Sequence, residues 1–258
     1  MHQKILFVCD DINKFNLHTD GTYALMVSAY NLNKQVFYTN PQDIYAINNQ
    51  AYASQVALMQ ILVKSALETD IQKNWYQIQE HQTNVLLDDF DIILVRTDPP
   101  FNMEYYYQTQ ILSLVNTKTK VINDSYALRN FNEKLAILNF PDLISPTVVT
   151  KNKNIILEFL NKYKQCVIKP LDLMAGRSVF KISLSDVNYL AIIETLTNYY
   201  TNTIMLQEYI SEVSHGDKRI FVVGGMVIDY YLLRTPAKNQ IRSNIAAGGT
   251  GSVCKIDD

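Results

Sequence analysis

Glycine, proline and cysteine are all scarce in this chain of 258 residues. With only 8 Gly and 7 Pro in a sequence that is 48% hydrophobic, the composition excludes collagen-like and intrinsically disordered proteins and predicts a buried core. The 3 cysteines, Cys9, Cys166 and Cys254, are widely spaced and form no C-x-x-C pair. Their number and spacing therefore indicate neither a disulfide framework nor a zinc site.

An excess of one charge and long apolar runs are lacking as well. Lys and Arg number 23 against 25 Asp and Glu, so the chain has none of the basic excess that non-specific binding to nucleic acid exploits. No apolar run approaches the roughly 20 residues of a membrane helix, and the first apolar stretch stops at Cys9 without a cleavage site. We therefore expect a cytoplasmic protein that binds neither nucleic acid nor membrane. The 4 histidines lack metal-binding spacing, and no metal ligand is assigned.

Short β-branched runs alternate with stretches of helical period in the first half of the chain, which predicts a parallel sheet with crossover helices. Asp20 or Thr19 is the expected N-cap of the first helix. Between residues 41 and 83 the pattern leaves alternatives open, because residues 55–64 fit a strand or a helix. The strands are expected at residues 5–9, 35–39, 92–95 and 120–123, and the helices at residues 21–32 and 102–115.

A second unit is predicted to begin at Ser125, which gives two domains, residues 1–124 and residues 125–258. Its first helix is expected over residues 125–138, because apolar residues recur there on one face. A hairpin is expected to reverse at the pair Gly224 and Gly225. The other expected elements are helices at residues 154–163 and 186–200 and strands at residues 166–170, 179–182, 204–209, 219–223 and 226–233.

Four segments of the second unit carry residue types that suit a nucleoside triphosphate. Lys169 ends a buried strand, and the loop at residues 171–178 can turn backbone amides toward phosphates, although it lacks Walker A spacing. Residues 205–210 offer an apolar slot for adenine, and residues 234–251 combine two arginines with three clustered glycines. Each segment also has an ordinary interpretation: a strand-edge lysine, a hairpin loop, a core strand and a disordered tail.

In this order, the segments resemble the prokaryotic glutathione synthetase family of the ATP-grasp superfamily. RTDPPF at residues 96–101 resembles the family's Arg-x-Asp-Pro-Pro-Phe loop, and LRNFNEKL at residues 128–135 resembles its Leu-Arg-x-x-Asn-Glu-Lys-Leu helix. IKPLD at 168–172, ETLT at 194–197, DKR at 217–219 and RSNIAAGG at 242–249 complete the resemblance. It implies an α/β fold, with an N-terminal parallel-sheet (pre-ATP-grasp, Rossmann-like) domain followed by an incomplete ATP-grasp α+β domain.

The resemblance implies ATP-dependent joining of gamma-glutamylcysteine to glycine through an acyl phosphate, in a homo-oligomer that is a dimer or a tetramer. Implied ATP-binding residues are Lys134, Lys169, Met174, Gly176, Gln207, Glu208, Tyr209, Ile210, Gly248 and Gly249. Implied catalytic residues are Arg219, Arg234 and Arg242. Implied substrate-binding residues are Asp20, Thr22, Arg96 and Asn244.

Three departures from the family pattern bear on activity. The sequence stops at Asp258, where family members continue with the Asp, Glu and Glu-x-Asn ligands of Mg²⁺, so we expect a truncated chain in which the ligands of this implied cofactor are missing. Leu173 and Ala175 stand where the family's phosphate loop has glycines, and a Cβ there opposes close backbone approach or positive φ. Asp124 replaces a lysine, which opposes a triphosphate electrostatically.

These observations leave two functions of different classes open. One is an ATP-grasp ligase, glutathione synthetase by family. The other is an inactive relative or fragment that serves as a nucleotide-binding, peptide-binding or interaction module. A different ligase of the superfamily, one that joins D-alanines or adds glutamates, is a further alternative.

Overall fold

A computed structural model describes residues 2–65 and 74–256. The chain divides into two compact units, Met1–Asn132 and Glu133–Asp258. The division comes later than the boundary expected after Asp124, because the helix Ser125–Asn130 packs against the helix Met103–Leu112 of the first unit. The Arg129 guanidinium strengthens this packing by donating a hydrogen bond of 2.7 Å to the Thr109 carbonyl.

Over residues 2–65 and 74–132, the first unit is a seven-stranded mixed sheet with three α-helices. Its strands are β1 (Lys4–Cys9), β2 (Gln35–Thr39), β3 (Ile44–Ile47), β4 (Gln50–Ile61), β5 (Tyr76–Leu86), β6 (Ile92–Arg96) and β7 (Lys120–Ile122), and its helices are α1 (Gly21–Asn31), α2 (Met103–Leu112) and α3 (Ser125–Asn130). The strand order is β3-β4-β2-β1-β6-β7, with β5 paired along β4. The predicted parallel pairing is confirmed for β1 with β2, β1 with β6 and β6 with β7.

Both faces of β1 are buried, as expected of a central parallel strand. Ile5 and Phe7 belong to one hydrophobic cluster, while Leu6 and Val8 belong to the cluster on the other face. The open alternative at residues 55–64 resolves as a strand over residues 55–61, because β4 pairs antiparallel with β5 along most of its length. Trp75 closes the first cluster, with its ring 5.1 Å from that of Tyr23.

The described part of the second unit, residues 133–256, contains two antiparallel sheets. The first, in the order β10-β9-β11-β8, is formed by β8 (Thr147–Thr150), β9 (Gln165–Pro170), β10 (Phe180–Ser183) and β11 (Ile204–Glu208), and its helices are α4 (Lys153–Tyr163) and α5 (Tyr189–Leu196). The second is formed by β12 (Asp217–Val223), β13 (Met226–Thr235) and β14 (Thr250–Lys255). The predicted hairpin at Gly224 and Gly225 is confirmed, with both glycines at positive φ.

Two predicted helices are wrong in extent. The helix expected over residues 125–138 ends at Asn130, because the backbone of Phe131 leaves the helical region, at φ −113° and ψ 71°. The helix expected over residues 186–200 covers only Tyr189–Leu196. The Thr197 hydroxyl donates to the Ile193 carbonyl at 2.7 Å and accepts from the Tyr200 amide at 3.0 Å, which closes the helix with a local turn.

Within the described residues, no helix is long and apolar enough to cross a membrane.

Candidate nucleotide and substrate sites

A cavity of about 540 Å³ lies in the second unit, against strands β9 and β11. It is lined by side chains from both strands, from the loop that follows β9 and from the segment that follows β13. The implied ATP, catalytic and substrate residues found in its lining are Lys134, Lys169, Met174, Gly176, Gln207, Glu208, Tyr209, Ile210, Arg242 and Asn244. The antiparallel fold of this unit therefore gathers residues that are more than 100 positions apart in the sequence.

Lys169 and Gln207 form the polar centre of the cavity wall. The Lys169 Nζ donates to Gln207 Oε1 at 2.5 Å, and Gln207 Nε2 donates to Thr147 Oγ1 at 2.9 Å. These bonds cross three adjacent strands and fix the orientation of the Gln207 amide. Burial lowers the pKa of Lys169, and the nearby Lys134 ammonium lowers it further, against the opposing effect of Glu133. Two clustered ammonium groups at a cavity wall suit an anionic ligand.

Lys134 connects the start of the unit to the loop at residues 171–178. Its Nζ donates a hydrogen bond to the Leu173 carbonyl and forms an ion pair with Glu133 at 3.0 Å. Ala175 adopts a φ of 57° in this loop, so its Cβ does not prevent the left-handed conformation that we expected it to oppose. Gly176 follows with a φ of 74°. Residues 171–178, which we call the phosphate loop, therefore keep a turned backbone although Leu173 and Ala175 stand in place of glycines.

Residues 241–249, which we call the lid segment, run against this loop. The Arg242 guanidinium donates to the Gly176 carbonyl at 3.3 Å and to Gln240 Oε1 at 3.1 Å. Gly248 and Gly249 shape a turn of the lid segment: Gly248 has a φ of 93°, and the Gly249 amide donates to the Asn244 carbonyl at 3.1 Å. The structure thus gives these two glycines a backbone role, in addition to the ATP contact that the resemblance implies.

The other two arginines implied in catalysis lie on the sheet β12-β13-β14. Arg234 forms a bidentate ion pair with Asp217, at 2.7 Å and 2.9 Å, and Asp217 lines the cavity. The two residues stand directly opposite each other in the β12–β13 register. Arg219 is exposed on β12, opposite Leu232 of β13. Among the three arginines, Arg242 therefore contacts the phosphate loop, through its hydrogen bond to the Gly176 carbonyl.

In the first unit, the residues implied in substrate binding meet at one end of the sheet. The Arg96 Nε at the end of β6 donates to the Thr22 hydroxyl at 3.1 Å. The Asp20 carboxylate caps α1 by accepting from the Thr22 amide at 2.7 Å and the Tyr23 amide at 3.0 Å. This edge holds the carboxyl ends of the parallel strands β1 and β6, where ligands bind in open α/β sheets.

Asp10 and Asp98 belong to the same edge and were not identified from the sequence. The Asp98 amide donates to the Asp10 carboxylate at 2.8 Å. Burial raises the pKa of Asp98, the carboxylates of Asp10 and Asp20 raise it further, and Arg96 opposes the shift. The signal for Asp10 was its place directly after the buried strand β1, the position from which parallel strands deliver side chains to a site.

Asp124 has a structural role in the first unit. Its carboxylate is the N-cap of α3 and accepts from the Ala127 amide at 2.8 Å. As for metals, residues 2–65 and 74–256 include no group of three or more His, Cys, Asp or Glu that could hold an ion.

The comparisons with known proteins agree with the two units. The family model "Prokaryotic glutathione synthetase, N-terminal domain" matches residues 3–129, and "Prokaryotic glutathione synthetase, ATP-grasp domain" matches residues 133–258. A glutathione synthetase of Neisseria meningitidis serogroup A is 39% identical over 256 residues, which cover 99% of this chain and 79% of that protein.

Two solved structures show the same fold at low sequence identity. D-cycloserine synthetase DcsG is 13% identical, with a TM-score of 0.59, and the match covers 90% of this chain and 68% of that one. The ATP-grasp ligase PsnB, solved with a minimal precursor, is 14% identical with a TM-score of 0.55, and the match covers 100% of this chain and 77% of that one. An N-terminal domain followed by an ATP-grasp domain is therefore the architecture of this α/β protein.

Proposed function

The chain belongs to the prokaryotic glutathione synthetase family, and on that premise we propose that it joins gamma-glutamylcysteine to glycine with consumption of ATP. The carboxylate of the dipeptide attacks the terminal phosphorus of ATP, which gives an acyl phosphate and ADP. The amino group of glycine then attacks the acyl carbon, loses a proton and releases phosphate with glutathione. The match of both family domains along nearly the whole chain carries this proposal.

The cationic side chains of the cavity supply what the first step needs. A negatively charged carboxylate is repelled by the negative charge of the triphosphate. Fixed cations reduce this repulsion and stabilise the charge that is redistributed in the transition state. Lys134, Lys169 and Arg242 all line the cavity and would face the phosphates. The adjacent stretch Gln207, Glu208, Tyr209 and Ile210 would hold the adenine, with apolar contacts and backbone hydrogen bonds.

The lid segment protects the acyl phosphate in this proposal. Water hydrolyses an acyl phosphate, so the site must exclude water until glycine attacks. Arg242 already contacts the Gly176 carbonyl, and Asn244 lies beside Gly176, so this end of the lid segment rests on the phosphate loop. Arg219 and Arg234 are proposed to act from the neighbouring sheet, with Arg234 held by Asp217.

The first unit is proposed to bind the dipeptide. The guanidinium of Arg96 is the natural partner of a substrate carboxylate, and its bond to Thr22 holds it in place. Asp20 fixes the start of α1 beside it.

The comparisons give no support to the alternative of an inactive binding module.

Magnesium, cellular location and assembly are further parts of the proposal. We propose that Mg²⁺ accompanies ATP, as the phosphoryl transfer requires, with no step assigned to the ion. We also propose a cytoplasmic homo-oligomer, a dimer or a tetramer. Sedimentation equilibrium of the purified chain tests the assembly.

Phosphate release by the purified chain tests the activity. With ATP, magnesium, gamma-glutamylcysteine and glycine, we expect release that depends on both amino-acid substrates and yields glutathione. Omission of glycine should leave only slow, uncoupled release. Absence of glutathione in a preparation that binds ATP calorimetrically would contradict the proposed ligase.

A further inference from the structure

The hydroxyl of Ser243 is buried without a hydrogen-bond partner in the second unit. The residue is 3% exposed, and its Oγ contacts no donor or acceptor among the described residues. A buried hydroxyl left unpaired costs free energy, so its presence calls for an explanation, and beside a cavity a ligand that accepts its hydrogen bond is one. Ser243 belongs to the lid segment and lines the cavity.

The neighbouring contacts hold Ser243 in this position. Arg242 before it is docked on the Gly176 carbonyl, and Asn244 after it lies against Gly176. The turn of the lid segment returns close to Ser243, since a Cβ added at Gly249 would lie 2.5 Å from the Ser243 carbonyl oxygen. Only glycine permits that approach, so the glycine-rich end of the lid segment encloses Ser243 from the side of Gly249.

The charges around the cavity indicate which kind of ligand the hydroxyl meets. Lys134, Lys169 and Arg242 share the lining with Ser243, and a hydroxyl can donate to the oxygen of an anion. We infer that the Ser243 hydroxyl donates a hydrogen bond to the terminal phosphoryl group of ATP. The inference rests on the proposed function. The lid segment would then contribute an uncharged donor, the Ser243 hydroxyl, to the phosphoryl group that is transferred.

Calorimetric titrations with two nucleotides test this inference. The full chain, Ser243→Ala and Ser125→Ala are each titrated, in magnesium buffer, with ADP and with the non-hydrolysable triphosphate AMPPNP. Ser125 is the matched control, because it is 4% exposed and its Oγ is also unpaired among the described residues, but it lies in α3 of the first unit.

We expect Ser243→Ala to weaken AMPPNP binding about tenfold, the scale of a hydrogen bond to a charged group, while ADP binding changes less than about twofold. Ser125→Ala should bind both nucleotides as the parent chain does. Equal loss for ADP and AMPPNP would overturn the inference, because Ser243 would then serve packing. An unchanged affinity for AMPPNP would overturn it as well.

Two further variants keep the test valid if Ser243→Ala unfolds. Ser243→Thr retains a hydroxyl and should keep most of the preference for AMPPNP over ADP, while Ser243→Cys, a weak donor, should lose it. Loss of the preference in Ser243→Thr and its retention in Ser243→Cys would contradict the inference. If the parent chain binds neither nucleotide, the proposed function fails together with the inference. If it binds both and the Ser243 variants match it, only the inference fails.

Discussion

Lys169 and Gln207 are joined by a hydrogen bond of 2.5 Å between neighbouring antiparallel strands, although 37 residues separate them in the chain. The Gln207 amide is held in turn by Thr147, so the ammonium occupies a prepared position in the cavity wall. An ammonium that is already placed needs little reorganisation when a phosphate enters.

Replacement of this ammonium should reduce catalysis strongly. For Lys169→Met we expect kcat/KM for ATP to fall about 10²-fold to 10³-fold, the usual effect of removing one charge-stabilising donor. Phosphate release measures the change. Lys164→Met, at the exposed end of α4, is the control and should retain parental kinetics. Equal activity of Lys169→Met and Lys164→Met would contradict the proposed role.

The same lysine should affect stability in a pH-dependent way. Burial lowers the pKa of Lys169 in the folded chain from the ordinary 10.5, so the unfolded chain binds more protons between the two values. The folded chain should therefore gain stability as the pH rises through that range. Lys169→Met removes the buried ammonium. We expect this variant to melt at a higher temperature than the parent chain at pH 7, and the difference to shrink toward pH 10. Melting temperatures of both chains are measured across this pH range without nucleotide. A difference between Lys169→Met and the parent chain that stays constant with pH would contradict the prediction.

The ion pair between Arg234 and Asp217 should stabilise the sheet β12-β13-β14. Its bidentate geometry and the 19% exposure of the Arg234 side chain favour a larger contribution than that of a surface pair. We expect Arg234→Ala to lower the free energy of unfolding by about 1–2 kcal/mol in urea titrations. Arg219→Ala, on the same sheet but exposed, should change it by less than about 0.5 kcal/mol. Similar losses in both variants would rule out a special contribution of the pair.

Gly176→Ala should disturb the contact between the phosphate loop and the lid segment. The added Cβ would lie 2.5 Å from Asn244 Oδ1, so Asn244 must move. We expect the KM for ATP to rise about fivefold, equivalent to about 1 kcal/mol. Gly225→Ala is matched in its positive φ but has open space around the new Cβ, so it should cost stability without changing the KM. A raised KM in both variants would attribute the effect to backbone strain alone.

Replacement of Arg96 is expected to weaken binding of the dipeptide and to leave binding of the nucleotide unchanged. Its Nε bond to Thr22 leaves the rest of the guanidinium for a carboxylate, and Lys cannot reproduce that fork. For Arg96→Lys we expect the KM for gamma-glutamylcysteine to rise about tenfold, the size of one lost charge-assisted hydrogen bond. Steady-state kinetics with each substrate varied in turn checks this. A change confined to the KM for ATP would contradict the assignment of Arg96.

Local sequence patterns predicted the elements whose own residues decide their structure. The strands at residues 5–9, 35–39 and 92–95 follow from β-branched runs. Asp20 or Thr19 was the predicted N-cap of α1, and the structure shows that it is Asp20. Predictions failed where distant contacts decide. The helix expected to reach Leu138 ends at Asn130. No element was predicted over the polar strand β5, which is stabilised by its pairing with β4.

The sequence by itself determined the family, the parallel strands of the first unit and the segments that form the nucleotide cavity, because short motifs and apolar periodicity are local properties. Only the tertiary structure decided that Asp98 meets Asp10, that Arg234 is held by Asp217 and that the Ser243 hydroxyl is buried and unpaired. These relations depend on strand register and on the approach of one loop to another. Both arise from the packing of residues far apart in the chain, which no local pattern encodes.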